Sequence, residues 1–139
     1  MDIVFLVARI LVALIFLLSA VGHIVGANAM AQYASYKGAP GGKFGVIASG
    51  VAMGIGGLMI LLGFYGEIGA LLIVATLIPV TFFMHAFWKE TDAQAKQTEQ
   101  ISFNKNLGLI GGALALFLLF ASQGAQVGLT LTEPLISIA

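Results

Sequence analysis

Four long apolar stretches, at residues 3–26, 44–64, 67–88 and 103–122, are separated by short segments that hold most of the polar side chains. The first is broken only by Arg9, Ser19 and His23. A helix needs roughly 20 apolar residues to cross about 30 Å of hydrocarbon. The first three stretches meet that length directly, and the fourth meets it once residues 103–107 are counted at its start. The runs are long and lack polar alternation, so they read as helices rather than strands. The pattern predicts an all-α membrane protein, one domain over residues 1–139. It is a bundle of four transmembrane helices with antiparallel neighbours, followed by a tail at 123–139. Pro79 sits in the middle of the third helix and leaves the Ala75 carbonyl without its usual donor, which predicts a kink. The hydroxyls of Thr76 and Thr81 are at hand to re-satisfy the backbone, and of the two uses of a kink, shaping a cavity or fitting the bundle, the fit is expected.

The connections carry their own signals. Residues 27–43 contain Tyr33, Tyr36, Lys37 and the turn Gly38-Ala39-Pro40-Gly41-Gly42, with room for a short interfacial helix over 30–36. Gly63-Phe64-Tyr65-Gly66 is a tight turn that makes the second and third helices antiparallel neighbours. Residues 89–102 form the one strongly polar segment, and Asn104 after it is suited to cap the fourth helix. In the tail, Thr130 and Thr132 alternate with apolar residues and Pro134 forbids a long helix.

Composition agrees with a bilayer as solvent. Of 139 residues, 60% are hydrophobic and 9% charged, against about 25% charged in soluble domains. A net charge of zero offers no field to attract nucleic acid. The absence of cysteine excludes disulfides, iron–sulfur ligation and thiol redox chemistry by this chain. The first stretch is too long for the apolar core of a cleavable signal peptide and has no basic region before it. Lys37, Lys43, Lys89, Lys96 and Lys105 all fall on one side of the bundle, and Arg9 alone on the other. The positive-inside rule then makes loops 27–43 and 89–102 cytoplasmic and leaves both termini outside a cell inner membrane.

Ionisable groups within spans are costly, and each is a candidate site. Arg9 lies about 9 Å along the first helix at ~1.5 Å per residue. Glu67 stands at the start of the third helix, where the dipole favours a negative charge. An Arg9–Glu67 ion pair is expected, with snorkelling of Arg9 as the plain alternative. His23 and His85 fall at similar depth near the inner ends of the first and third helices. Two histidines from different helices suit a metal or haem, but without further ligands no metal site is assigned. They also suit a quinone headgroup, which needs a hydrogen-bond donor at each carbonyl. Trp88, Lys105 and Asn106 fall at the same boundary, so His85, Trp88, Lys105, Asn106 and His23 form the candidate headgroup site. The plain alternative is a set of interfacial residues satisfied by lipid and backbone. The pairs Gly22/Gly26, Gly50/Gly54 and Gly108/Gly112 let helices approach closely, either inside the bundle or against other membrane subunits or further copies of the chain. There is no nucleophile elbow, phosphate loop or zinc-protease motif, so catalysis by the chain alone is not expected.

The chain resembles the DoxX family of small four-helix membrane proteins. The resemblance rests on the segment from Arg9 to His23, on Gly56-Gly57-Leu58-Met59-Ile60-Leu61-Leu62-Gly63, and on His85-x-Phe87-Trp88 followed by Phe103-x-Lys105-Asn106 and Gly111-Gly112. It extends to about Phe120. Many members carry a glutamate near the position of Met53, and a basic residue where this chain has Glu67. The resemblance implies the fold firmly and the function loosely. Some relatives are subunits of thiosulfate:quinone oxidoreductases, and others are linked to oxidative stress. The expectation is a small membrane subunit of a redox-linked, quinone-interacting assembly without catalysis of its own. The alternatives are a structural or oligomeric membrane module, and a small-solute transporter or channel.

Overall fold

A computed structural model describes residues 2–126 and 128–138. Helices α1 (Asp2–Val25), α2 (Ala27–Tyr36), α3 (Gly42–Leu62), α4 (Gly66–Met84) and α5 (Ala93–Gln123) follow in order, with single 3-10 turns at Phe87–Lys89 and Gly124–Gln126. Four of these helices are long and apolar enough to cross a membrane, and α2 is not one of them. Large apolar side chains such as Leu11, Leu18, Val51 and Leu118 are exposed on the outside of the bundle. That is the surface a multi-pass membrane protein presents to lipid.

The spans pack α1 on α3, α3 on α4 and α4 on α5. Phe5 meets Phe120 edge-on at 5.3 Å, a contact between α1 and α5. The core gathers Phe16, Met53, Ile60, Ile73, Leu77, Leu116 and Phe120. Met53 is thus plain apolar core here. Close approach depends on glycine at specific points. A Cβ on Gly50 would stand 2.5 Å from that of His23, and one on Gly54 would stand 3.3 Å from that of Ala20. The Gly50/Gly54 pair is therefore used inside the bundle, against α1. Gly66 accommodates the ring of Phe120 in the same way.

At the hairpin end, α3 stops at Gly63 in the left-handed conformation (φ 62°). The Gly63 and Phe64 N–H groups donate back to Ile60 and Met59, the pairing of a Schellman motif. Carbonyls of this last turn also accept from elsewhere, that of Ile60 a second time. Arg9 donates through Nε to Ile60 and through Nη2 to Leu61, at 2.9 and 2.6 Å. Its Nη1 donates to Leu129 of the tail at 2.9 Å. The tail adds Leu131 N–H to Leu62 and Gly63, and Leu135 N–H to the Glu67 carboxylate at 2.7 Å.

The expected Arg9–Glu67 ion pair is therefore not formed. Both side chains are 1% exposed, but each is satisfied by backbone. A guanidinium at the carboxyl end of α3 and a carboxylate at the amino end of α4 each complement the partial charge of that helix end. The tail, which had no assigned role in the sequence, completes both arrangements.

Two other expectations are corrected. Helix α5 begins at Ala93, ten residues before the expected start, because Asp92 caps it by accepting from Ala95 N–H at 2.8 Å. Asn104 is then an exposed mid-helix residue. The hydroxyls expected to serve the backbone near Pro79 do other work. Thr76 bonds the Leu72 carbonyl, and Thr81 accepts from Asn106.

Candidate functional site

At the lysine-bearing end, α2 lies on α3, and its neighbours leave a cavity of about 620 Å³. Its walls are mostly apolar, including Met30, Val46, Val80 and Phe83. Five residues with polar side chains line it: His23 from α1, Tyr33 from α2, Ser49 from α3, Thr76 from α4 and His85 at the end of α4. The size falls within the ordinary range for small-ligand pockets, about 300–1,000 Å³. Pro79 is also in the lining. The residue expected to serve the fit of the bundle thus also borders this space.

Each imidazole is oriented by a bond through Nδ1. His23 Nδ1 lies 2.8 Å from the Ser19 carbonyl, which can only accept, so that nitrogen carries the proton. His85 Nδ1 lies 2.8 Å from Oε2 of Glu99. Glu99 is the hub of a wider cluster. Its other oxygen accepts from the Tyr33 hydroxyl at 2.6 Å and from Lys37 Nζ at 2.8 Å. Lys37 also donates to Glu90. Burial alone would lower the Lys37 pKa, but its hydrogen bonds to Glu90, Glu99 and Tyr33 outweigh that and hold it above the ordinary lysine value. Burial, followed by the bond to Glu99, pushes the Tyr33 phenol up.

The structure joins only part of the candidate set. His23 and His85 share the cavity. Trp88 does not line it. It packs with Phe82, Phe87 and Phe103, edge-to-face with the last two, and is half exposed. Lys105 is exposed on α5. Asn106 is buried and spends its amide on Thr81 at 3.1 Å. Similar depth along the helices is what these residues share, and depth does not say which way a helix turns a side chain. Among the described residues no group of three or more His, Asp or Glu is placed to hold a metal ion.

Glu99, Glu90, Lys37 and Tyr33 were not singled out from the sequence. A signal for Glu99 exists. The buried face of α5 includes Asn106, Ala113 and Phe120, a seven-residue step. One further step back lands on Glu99, which is 8% exposed.

A family model described as DoxX matches residues 4–86, well over half the chain. That stretch includes Arg9, both cavity histidines and Pro79. No curated protein and no solved structure matches.

Proposed function

The chain belongs to the DoxX family, and from that premise we propose that it is a membrane subunit of a redox-linked assembly. Its cavity would hold the ring of a quinone-class lipid between His23 and His85. The observation that carries this reading is the cavity itself. It is an apolar space next to the spans, with one imidazole from α1 and another from α4 at its wall. A lipid-soluble ring fits the apolar lining, and the two imidazoles provide polar contacts for its oxygens. The assignment rests on His23 and His85. Trp88, Lys105 and Asn106 are left to packing and the membrane boundary. The lysine-bearing end is assigned to the cytoplasmic side of an inner membrane by its charge. A single cysteine at Gln94 that labels from outside would reverse that orientation.

The test is purification in mild detergent, with mass spectrometry of everything that accompanies the protein. Stoichiometric quinone or quinol in the parent, and none in His85→Ala, supports the reading. Bulk lipid alone in both preparations refutes it.

A structural role has one specific observation in its favour. A Cβ on Gly108, Gly111 or Gly112 would meet nothing within 4 Å, so this face of α5 is open to a further helix. If assembly is the function, Gly112→Leu changes the oligomeric mass in detergent and leaves the protomer folded.

A further inference from the structure

Resting on the quinone-class reading, we infer that the cavity takes its ligand as the hydroxyl-bearing hydroquinone in preference to the oxidised quinone. The argument is a count of donors. His23 spends its Nδ1–H on the Ser19 carbonyl, and His85 spends its own on Glu99. The Tyr33 hydroxyl donates to Glu99, Ser49 to the Val46 carbonyl and Thr76 to the Leu72 carbonyl. Every polar side chain in the lining has thus used its hydrogen within the protein.

What remains is lone pairs. A neutral imidazole with hydrogen on Nδ1 offers only an acceptor at Nε2. Among the described residues the hydrogen bonds of both imidazoles run through Nδ1, and no side-chain nitrogen or oxygen without a partner is buried, so each Nε2 is accessible. The hydroxyl oxygens of Tyr33, Ser49 and Thr76 add further acceptors. An oxidised quinone presents two carbonyl oxygens, which also only accept. Set against two Nε2 lone pairs it loses both hydrogen bonds and opposes like partial charges. A hydroquinone presents two O–H donors, one for each imidazole. Glu99 matters because its carboxylate fixes which ring nitrogen of His85 carries hydrogen. That makes Glu99 a positioning residue for ligand recognition.

The experiment compares decylubiquinone with its two-electron-reduced form. Binding to the full chain in detergent is measured anaerobically by calorimetry. The reduced form is expected to bind about 10-fold or more tightly, as one or two lost hydrogen bonds imply. In His85→Gln the side chain brings its own N–H donors, and the preference should shrink to about threefold or less. Equal or tighter binding of the oxidised form by the parent protein overturns the donor argument and leaves the quinone-class reading standing. Binding that His85→Gln leaves unchanged puts the probe outside this cavity and overturns the inference. Binding of neither form overturns both. The comparison of the two probes on the parent protein does not depend on any variant folding.

Discussion

Glu99 reaches His85 from the polar first turns of α5, and their 2.8 Å contact joins the cavity wall to a cluster of charges outside it. The same carboxylate holds Lys37 and Tyr33. Three donors converge on one nearly buried acid, so its loss leaves Lys37 with Glu90 as its remaining carboxylate partner. Glu99→Ala is expected to destabilise the protein by about 3 kcal/mol, the low end for breaking a buried ion pair. Denaturation in detergent measures it. A change under about 0.5 kcal/mol, the size of an ordinary surface substitution, would mean that the cluster is solvated and carries no structural weight.

Alkaline pH should dismantle the same cluster. The pKa values of Lys37 and Tyr33 are both raised in the folded protein. A raised folded value means that folding holds the proton more tightly than the unfolded chain does. The stabilisation is therefore complete below the unfolded values of about 10 and is lost as pH rises through the higher folded ones. The melting temperature should stay level between about pH 7 and 9 and fall above about pH 10. A Lys37→Met, Tyr33→Phe double variant should start lower and fall less steeply there. Parallel curves for the two proteins would assign the alkaline loss to other groups.

Arg9 offers a separate test at the hairpin end. Its three nitrogens serve three carbonyls, on Ile60, Leu61 and Leu129. Lysine keeps the charge but not the planar fork that reaches all three. Arg9→Lys should cost about 2–4 kcal/mol, one or two charge-assisted hydrogen bonds, and release the tail. Limited proteolysis reads the release directly, as faster cleavage within 128–138. A variant that resists protease as well as the parent would show that the tail is held without Arg9.

The glycines divide into two kinds with opposite expected outcomes. Gly50→Ala forces α1 and α3 apart at His23, where the added carbon would stand 2.5 Å from the His23 Cβ. It should lower the melting temperature and change the cavity. Gly108→Ala meets nothing within 4 Å and should leave the protomer as stable as before, or slightly more so because alanine favours a helix. Thermal unfolding of both variants in detergent decides between these expectations and a uniform role for all three pairs.

The helices were legible from the sequence because nearly all the information lies in run length. Ile3–Val25 and the stretches through α3 and α4 are too long and too apolar to be anything else. The start of α5 was not legible by that rule, since residues 93–102 are polar and only the Asp92 cap marks their entry into the helix. Depth in the bilayer correctly put His23 and His85 at one end. It could not distinguish Asn106, turned inward to Thr81, from Lys105 beside it, turned outward. The Arg9–Glu67 pairing failed for a different reason. Complementary charge suggested a partner, whereas the helix end and the tail supplied carbonyls and an N–H that lie closer.

Helix α5 runs without interruption from Ala93 to Gln123, about 46 Å at ~1.5 Å per residue. Glu99 on His85, Asn106 on Thr81 and Phe120 on Gly66 are three contacts along this one rod. They lie within about 60° of one another about its axis. Turning the rod by one residue, about 100°, would move all three off their partners together. The orientation of the imidazole at the cavity is thereby geared to the packing of an aromatic ring at the far side of the membrane.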